Sequence, residues 1–197
     1  PNTGGMGAFS PTPLITEKLN KKILDEIIKP TLDELNRRNI EYKGFLYAGL
    51  MLTNDGPKVL EYNCRFGDPE AQAVLPLIKG DFAAYLMSGA KGELIDSVID
   101  FDEGWSICLV LASAGYPNSS RNEDLINGLD VIQDARVYHA GTKKNSEGNY
   151  VTNGGRVLAV VGRGDTRESA VEHSYKEAEK INFDGNQRRS DIGRMHF

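Results

Sequence analysis

The sequence predicts an α+β fold in two parts: helices with an antiparallel sheet come first, and a small α/β domain follows. Three observations support this prediction. Hydrophobic residues make up 40% of the chain and charged residues 26%, the balance of a globular protein with a buried core. Helical periodicity and one hairpin signal occupy the first part, whereas short strands and one closing helix occupy the second. The character changes after Gly92, so we place a boundary between Ala90 and Asp102 and expect domains at 1–92 and 93–197.

The first part opens with a stretch rich in glycine and proline, Pro1 to Pro13, which predicts a loop. The next segment, Thr16 to Arg38, has the apolar stripe of an amphipathic helix. We expect this helix to kink or split at Pro30, because proline lacks an N–H donor and clashes with the preceding turn. The stripe consists of Leu19, Ile23, Ile27, Ile28, Leu32 and Leu35.

A hairpin and two helices complete the first part. Phe45 to Leu52 and Lys58 to Asn63 predict two strands, joined by the turn signal Asn-Asp-Gly-Pro. A helix is expected to start with Asp68 as its N-cap and the following proline in its first turn. A further helix is expected to start at Asp81.

The second part is predicted to be rich in strands. Trp105 to Ala112 is an almost continuous apolar run, as expected of a central strand. Asp165 and Glu168 fit a capping box at the start of a helix that runs to about Ile181. Shorter strands are predicted at Val137–Ala140, Tyr150–Thr152 and Arg156–Val161. The buried side of the closing helix is predicted to comprise Ala170, Val171, Ser174, Ala178 and Ile181.

Charge and composition argue against several classes of protein. The net charge is −5, and no basic stripe suited to nucleic acid is found. No apolar run is long enough to cross a membrane or to serve as a signal peptide. The chain begins with Pro1 and not Met, so we expect its start to have been processed or cut. Cys64 and Cys108 form neither a CxxC pair nor a zinc spacing, and we interpret them as buried thiols without chemistry in a reducing cytoplasm.

The segment Val59 to Arg65 carries the most informative polar residues. Alternation along a strand places Glu61 and Asn63 on one face, with α-carbons roughly 6.5–7 Å apart. A carboxylate and an amide are hard oxygen donors that suit Mg²⁺, with waters and phosphate oxygens as the remaining ligands. Arg65, at the strand end, has a planar fork suited to a phosphoryl group. The spacing alone fits an ordinary solvent-facing polar strand at least as well.

Three other features are weaker candidates for ligand contacts. The loop Asn2 to Gly7 is able to turn backbone N–H groups toward an anion, but it is neither a Walker A loop nor a Rossmann fingerprint, and such loops are more often simply flexible. Arg156 follows Asn-Gly-Gly and is interpreted as a surface arginine at a strand edge, with an anion contact as the alternative. His139 is interpreted as a structural histidine, with a place in a cleft as the alternative.

Several blocks occur in one order along the chain and are specific as a set. They are Pro1–Pro11, Tyr42–Met51, Val59–Glu70, His139–Thr142 with Thr152–Leu158, and the ending Phe183–Gly185 with Arg189–Gly193. With these blocks the chain resembles, over essentially its whole length, the glycinamide ribonucleotide synthetases (phosphoribosylamine–glycine ligases) of the ATP-grasp superfamily. The resemblance implies the back portion of an ATP-grasp domain in 1–92 and the family's C-terminal domain in 93–197.

The resemblance also implies a reaction and its residues. Glycine is joined to phosphoribosylamine with ATP through glycyl phosphate, with Mg²⁺ or Mn²⁺ neutralising phosphate charge. Glu61 and Asn63 match the family's metal ligands, and Arg65 matches a catalytic position facing the reacting phosphate. The implied substrate-binding residues are Asn2, Thr3, Gly4, Gly5, Gly7, Arg65 and Asp68.

One departure from the family is large, since a complete member has more sequence before the position of Pro1, including most contacts to the nucleotide. We therefore expect a missing N-terminal part of the same enzyme as a partner and no ligase activity from this chain alone. Neither nucleic acid nor membrane is expected as a partner. Two alternatives stay open: another ATP-grasp ligase or carboxylase, against which the glycine loop and the Arg-Phe-Gly-Asp-Pro-Glu run argue, and a non-catalytic interaction module.

Overall fold

The computed structural model describes residues 2–94 and 99–194. Its helices and strands are β1 (Gly7–Ser10), α1 (Glu17–Ile23), α2 (Lys29–Arg37), β2 (Tyr47–Thr53), β3 (Gly56–Asn63), α3 (Glu70–Val74), α4 (Phe82–Lys91), β4 (Trp105–Ala112), β5 (Ala135–His139), β6 (Thr142–Lys144), β7 (Tyr150–Thr152), β8 (Arg156–Gly164) and α5 (Arg167–Lys180). A π-helical segment, Leu24–Ile28, joins α1 to α2, and a 3-10 turn, Leu75–Leu77, follows α3.

The chain divides into two compact units, and each unit is made of separate segments of the chain. The sheet unit takes in the described residues of Pro1–Pro11, Asp68–Ile78 and Phe101–His196. The hairpin unit takes in those of Thr12–Gly67 and Lys79–Asp100. Segments of the two units alternate along the chain, so no single boundary separates them. The sequence-based domain ranges 1–92 and 93–197 therefore stay a prediction. Residues 95–98, inside the predicted boundary region, lie outside the described part of the chain.

The sheet unit is centred on β4, in an antiparallel sheet of order β1-β4-β8-β5. Ile107, Leu109 and Leu111 of β4 join the core formed with α5. Cys108 joins a second core with Ala73 of α3. The continuous apolar run therefore reflects a strand covered on both faces. The predicted central strand is confirmed, with Ile107 0% and Leu109 1% exposed.

The glycine-rich start of the chain is not entirely a loop. β1 pairs antiparallel with β4, with Gly7 opposite Leu109 and Ser10 opposite Ser106. The prediction of a loop over the whole of Pro1 to Pro13 is therefore wrong for this strand, because local composition does not reveal a partner strand so distant in sequence.

The closing helix α5 is capped one residue later than predicted. Thr166 and Ser169 form the capping box: the Thr166 hydroxyl oxygen accepts from the Ser169 N–H at 3.1 Å, and the Ser169 hydroxyl oxygen accepts from the Thr166 N–H at 3.2 Å. The assignment of Asp165 and Glu168 to the box is wrong. The predicted buried side is confirmed for Ala170, Val171, Ser174, Ala178 and Ile181.

In the hairpin unit, the first helical pattern is interrupted as expected near Pro30. Thr16 caps α1, and its hydroxyl oxygen accepts from the Leu19 N–H at 3.2 Å. Before the proline the helix widens, and the Lys29 N–H bonds to the Leu24 carbonyl, the spacing of a π-helix. The widening accommodates the ring of Pro30, because this residue has no N–H to donate and its ring crowds the preceding turn.

The predicted hairpin and the predicted helix start at Asp81 are both confirmed. β2 and β3 are joined by a tight turn between Thr53 and Gly56. The Asp81 carboxylate accepts from the Ala84 N–H at 2.9 Å at the start of α4. Within the described ranges, none of the helices is both long and apolar enough to cross a membrane.

A buried acid, Glu177, ties α5 to the segment before β5. One carboxylate oxygen accepts from Lys180 Nζ at 2.7 Å, and the other accepts from the Gln133 N–H at 3.0 Å. Burial raises the pKa of Glu177, but the hydrogen bonds from Lys180 and Gln133 outweigh burial and hold the pKa below its ordinary value of 4.5.

We expect Glu177→Gln to lower the free energy of unfolding by about 1–3 kcal/mol at pH 7. The amide NH2 group of glutamine would face either Lys180 Nζ or the Gln133 N–H, so one of these two donors would lose its acceptor. The folded-state pKa lies below the unfolded one, so the carboxylate's contribution is complete above pH 4.5 and is lost as the pH falls through the lower folded value. Thermal melts across this range should show the difference between wild type and variant shrinking in acid. The exposed Glu179→Gln on the same helix is the control. An equal loss in both variants would contradict the role of Glu177.

Candidate functional site

The site residues predicted from the sequence fall into two sets. Glu61, Asn63 and Arg65 lie at the end of β3 in the hairpin unit. The loop Asn2 to Gly7 and Asp68 lie around the start of β1 in the sheet unit. In the hairpin unit, Glu61 and Asn63 share a strand face and a hydrogen bond. In the sheet unit, the carbonyls of Gly4 and Asp68 both accept from Arg156.

Glu61 and Asn63 share one face of β3. The Asn63 side-chain amide donates to a Glu61 carboxylate oxygen at 2.9 Å. Tyr62 points to the other face, where its hydroxyl lies 2.7 Å from the Thr31 hydroxyl on α2. The strand therefore presents a carboxylate and an amide side by side, and each carries an oxygen of the hard type that Mg²⁺ prefers.

The donor set fits a cation that keeps several outside ligands. In the described residues, 2–94 and 99–194, no group of three or more His, Cys, Asp or Glu side chains is arranged to hold a metal ion. Magnesium commonly takes one or two protein oxygens and completes its shell with waters and substrate phosphates. Glu61 and Asn63 suit that kind of shared site rather than an all-protein cage.

A β-bulge lies beside Glu61. Glu61 pairs with Gly49, and two residues earlier Val59 pairs with Leu50, so Leu60 is an inserted residue. Bulges re-aim side chains and increase local twist. Gly49, opposite Glu61, leaves room for the Glu61 side chain. A Cβ on Gly49 would crowd it, because this atom would lie 3.1 Å from Glu61 Cγ.

Arg65 follows β3 and is exposed. Its Nη1 donates to the carbonyl of Phe66 at 2.7 Å, which holds the side chain near the strand end. The Phe66 ring lies 3.8 Å from the Phe45 ring between centroids, so the residue after Arg65 is anchored. The guanidinium has further N–H donors beyond this one contact, which suits it to an anion.

The glycine loop is held by Arg156, which sequence reasoning interpreted as a surface arginine. Arg156 Nη1 donates to the carbonyls of Gly4 and Asp68, each at 2.8 Å. The Gly4 N–H donates to the Tyr116 hydroxyl, also at 2.8 Å. The Arg156 side chain is only 23% exposed, so the interpretation is wrong. No local pattern indicates these contacts, because the partners are distant in sequence.

Asp68 is a partner of Arg156 rather than a helix cap. Its carboxylate accepts from Arg156 Nη2 at 3.0 Å and from Gln72 Nε2 at 2.9 Å. α3 begins at Glu70, with Pro69 in the cap position and no side-chain cap, so the predicted N-cap at Asp68 is wrong. The substrate-binding role of Asp68 stays a prediction.

Gly5 needs to be glycine for two reasons. Its φ is +104°, a conformation that other residues adopt only with strain. A Cβ there would also lie 2.6 Å from Pro69 Cδ. Asn2 and Thr3 are exposed, and the Thr3 hydroxyl accepts from the Gly5 N–H at a long 3.3 Å. The loop is therefore shaped by its surroundings, which the sequence alone did not indicate.

The cysteines and His139 are not part of either set. Cys108 is buried, and burial raises the pKa of its thiol to about 12, so it stays protonated at neutral pH. Cys64 is exposed, so the interpretation of two buried thiols is wrong for Cys64. His139 Nδ1 lies 3.0 Å from the Thr142 hydroxyl, and its ring packs 4.6 Å from that of Tyr150, which agrees with a structural role.

Two family models match the chain. One, described as "Phosphoribosylglycinamide synthetase, ATP-grasp (A) domain", matches residues 1–71, and another, "Phosphoribosylglycinamide synthetase, C domain", matches residues 106–195. The class is therefore ATP-grasp, and the donor-bearing strand β3 falls inside the ATP-grasp match. Together the two models cover most of the chain. The chain belongs to the phosphoribosylglycinamide synthetase family.

Individual relatives agree with this family. The phosphoribosylamine–glycine ligase of Caldanaerobacter subterraneus subsp. tengcongensis is 46% identical over 192 residues, covering 98% of this chain and 46% of the relative. The ligase of Yersinia pestis is 45% identical over 196 residues, with coverage of 98% and 46%. The chain spans about half the length of the curated relatives it matches.

Solved structures show the same fold. The crystal structure of phosphoribosylamine–glycine ligase from Thermotoga maritima matches with a TM-score of 0.86 and 37% identity, over 97% of this chain and 47% of that chain. Urea carboxylase of Kluyveromyces lactis matches with a TM-score of 0.64 and 16% identity, over 93% of this chain and 16% of that chain. The second likeness shows the fold alone.

Proposed function

We propose that this chain forms part of a phosphoribosylamine–glycine ligase and supplies its metal-binding strand and its acceptor-substrate loop. The observation that carries the proposal is the Glu61–Asn63 pair, held in contact on one face of β3 within the ATP-grasp match. A pair of side chains with hard oxygen donors, followed two residues later by an exposed arginine, suits a site where a phosphoryl group is transferred.

In the proposed reaction, the glycine carboxylate attacks the γ-phosphorus of ATP, giving glycyl phosphate and ADP. The amine of phosphoribosylamine then attacks the acyl carbon, loses a proton, and phosphate leaves. Bound Mg²⁺ or Mn²⁺ would supply neutralisation of the phosphate charge. Glu61 and Asn63 would hold that ion, and Arg65 donates N–H groups to the reacting phosphate.

The acceptor substrates are assigned to the sheet unit. The residues proposed to bind glycine or phosphoribosylamine there are Asn2, Thr3, Gly4, Gly5, Gly7 and Asp68. Arg65, in the hairpin unit, is proposed as a separate contact to the phosphoryl group of the substrate. The support is the exposed start of the loop and the fixed conformation of Gly4 and Gly5. A rigid loop binds with less loss of conformational entropy than a mobile one.

The nucleotide-clamping remainder of the ATP-grasp core is assigned to a preceding part of the same enzyme. Large apolar side chains of the hairpin are exposed, as expected of a surface that another part covers. They are Met51, Leu52, Val59, Leu60 and Tyr62. We place the enzyme in a reducing cytoplasm, which suits its unpaired cysteines.

The test is a substrate panel on a full-length ligase that contains this chain. We expect ADP release only when glycine and phosphoribosylamine are both present with ATP, and we expect glycinamide ribonucleotide as the product. The 197-residue chain alone is the control and should release no ADP. Turnover with bicarbonate or another carboxylate in place of glycine would assign the chain to a different ATP-grasp reaction, and activity of the chain alone would contradict the proposed division of the site.

A further inference from the structure

One guanidinium joins separate segments of the sheet unit. Besides the contacts already given, Arg156 Nη1 lies 3.4 Å from the Gly5 carbonyl and 3.3 Å from an Asp68 carboxylate oxygen. Arg156 begins β8, whereas Gly4 and Gly5 precede β1 and Asp68 precedes α3. An arginine that only faces solvent does not need several intramolecular partners. These contacts therefore indicate that Arg156 holds the glycine loop in place.

Tyr116 completes this arrangement from a second side. Its ring lies against Gly155, where a Cβ would come within 2.5 Å of the ring carbon Cδ2. Its hydroxyl accepts the Gly4 N–H at 2.8 Å. A Cβ on Gly4 would lie 3.2 Å from that hydroxyl and 3.3 Å from Arg156 Cζ. The loop is thus fixed through both the N–H and the carbonyl of Gly4.

These contacts set the direction of two successive peptide planes. The carbonyls of Gly4 and Gly5 face the guanidinium. Because each carbonyl and the N–H of the next residue point in opposite directions in a trans peptide, the N–H groups of Gly5 and Met6 are turned away from Arg156. The Gly5 N–H donates to the Thr3 hydroxyl at 3.3 Å. A backbone N–H that a fixed loop turns outward is a recognised way to meet an anion.

We propose that Arg156 is a positioning residue, which orients the glycine loop so that the N–H group of Met6 faces the anionic group of the sugar-phosphate acceptor. The inference rests on the proposed function, since it takes the loop as the acceptor-binding element. Arginine suits the task because its planar fork reaches two carbonyls and a carboxylate together, whereas lysine offers a single compact charge.

The variants are Arg156→Lys, which keeps the charge opposite Asp68 but loses the fork, and Tyr116→Phe, which removes only the hydroxyl. Arg163→Lys is the matched control. Arg163 lies on the same strand, is 41% exposed and has an ion pair with Asp102 at 3.0 Å, away from the glycine loop. Thermal melts establish that each variant folds, and if Arg156→Lys does not, Tyr116→Phe carries the test.

The first measurement is amide hydrogen exchange at Gly4 in the 197-residue chain. Exchange should be about tenfold faster in both variants, because Tyr116→Phe removes the acceptor of the Gly4 N–H and Arg156→Lys loosens the loop that carries this N–H. It should be unchanged in Arg163→Lys. The second measurement is steady-state kinetics in the full-length ligase, where the KM for phosphoribosylamine should rise about tenfold and the KM for ATP should not change.

Unchanged exchange at Gly4 in the folded variants overturns the positioning role. Faster exchange with an unaltered KM for phosphoribosylamine overturns the link to the acceptor, while leaving the metal site of the proposed function intact. Equal rises in the KM values of ATP and phosphoribosylamine also overturn it, since that pattern reflects general disturbance. Failure of the proposed function appears separately, as a wild-type enzyme that does not use glycine and phosphoribosylamine.

Discussion

Replacing Glu61 with glutamine in the full-length ligase should lower turnover about a hundredfold or more, because electrostatic stabilisation of a transferring phosphoryl group is usually the largest catalytic contribution. Glutamine keeps the size of the side chain and removes its charge. Mg²⁺ prefers a carboxylate to a neutral amide, so affinity for the ion should fall at this position. Raising the Mg²⁺ concentration should therefore restore part of the lost turnover.

The fold should survive this change. Glu61 is exposed, and glutamine still offers an oxygen to accept the hydrogen bond from the Asn63 amide. We expect the free energy of unfolding to change by no more than about 0.5 kcal/mol, as is usual for a surface position. The measurements are kinetics over a Mg²⁺ titration, Mn²⁺ binding followed by its paramagnetic signal, and a thermal melt.

Glu26→Gln is the matched control for Glu61→Gln. Glu26 is an exposed glutamate in the same unit, and it has a long ion pair with Lys22 at 3.8 Å. It should leave kinetics and Mn²⁺ binding unaltered. Near-normal turnover of Glu61→Gln at ordinary Mg²⁺ would refute the ligand role, and loss of activity together with a collapsed melt would show that Glu61 is structural instead.

Replacing Arg65 with methionine should lower kcat and kcat/KM together, by about a hundredfold to a thousandfold. A parallel fall is the pattern of a group that acts mainly in the transition state, here by donating to the oxygens of the reacting phosphate. Arg65→Lys should fall between wild type and Arg65→Met, since it keeps the charge but loses the planar fork.

Stability should be little affected by either Arg65 variant, because the arginine is exposed and gives up one hydrogen bond to the Phe66 carbonyl. Arg38→Met, at the residue that follows α2, is the control: it removes an arginine paired with Glu34 at 2.7 Å on an exposed surface. It should leave both kinetic constants unchanged. If Arg65→Met raises only a KM and leaves kcat intact, Arg65 contributes to binding and not to the chemical step.

The parts of the fold that sequence reasoning found are those that depend on neighbours along the chain. The hairpin of β2 and β3, the helix start at Asp81 and the break before Pro30 each follow from residues within one or two turns. The shared face of Glu61 and Asn63 likewise follows from strand alternation. The central strand β4 was found because burial on both faces leaves an apolar run that needs no knowledge of its partners.

The parts that sequence reasoning missed depend on distant partners. β1 exists because Gly7 to Ser10 find β4, and nothing within the glycine-rich stretch indicates that pairing. Arg156 and Asp68 look like ordinary polar residues until the fold places them together. The bulge beside Glu61 was missed for a related reason, since an inserted residue is defined only by the register of the opposite strand.

The order in which the chain contributes to the sheet unit bears on how the protein is made. β1 is synthesised before the hairpin unit and β4 only after it, yet β1 is an edge strand whose neighbour in the sheet is β4. On the ribosome, β1 must therefore wait with its backbone donors and acceptors exposed until β4 emerges. Unpaired strand edges of this kind are prone to wrong pairing, and closing so long a loop slows folding. The hairpin unit, whose strands β2 and β3 are joined by a tight turn, has no such delay, so nascent chains should acquire it first and complete the sheet last.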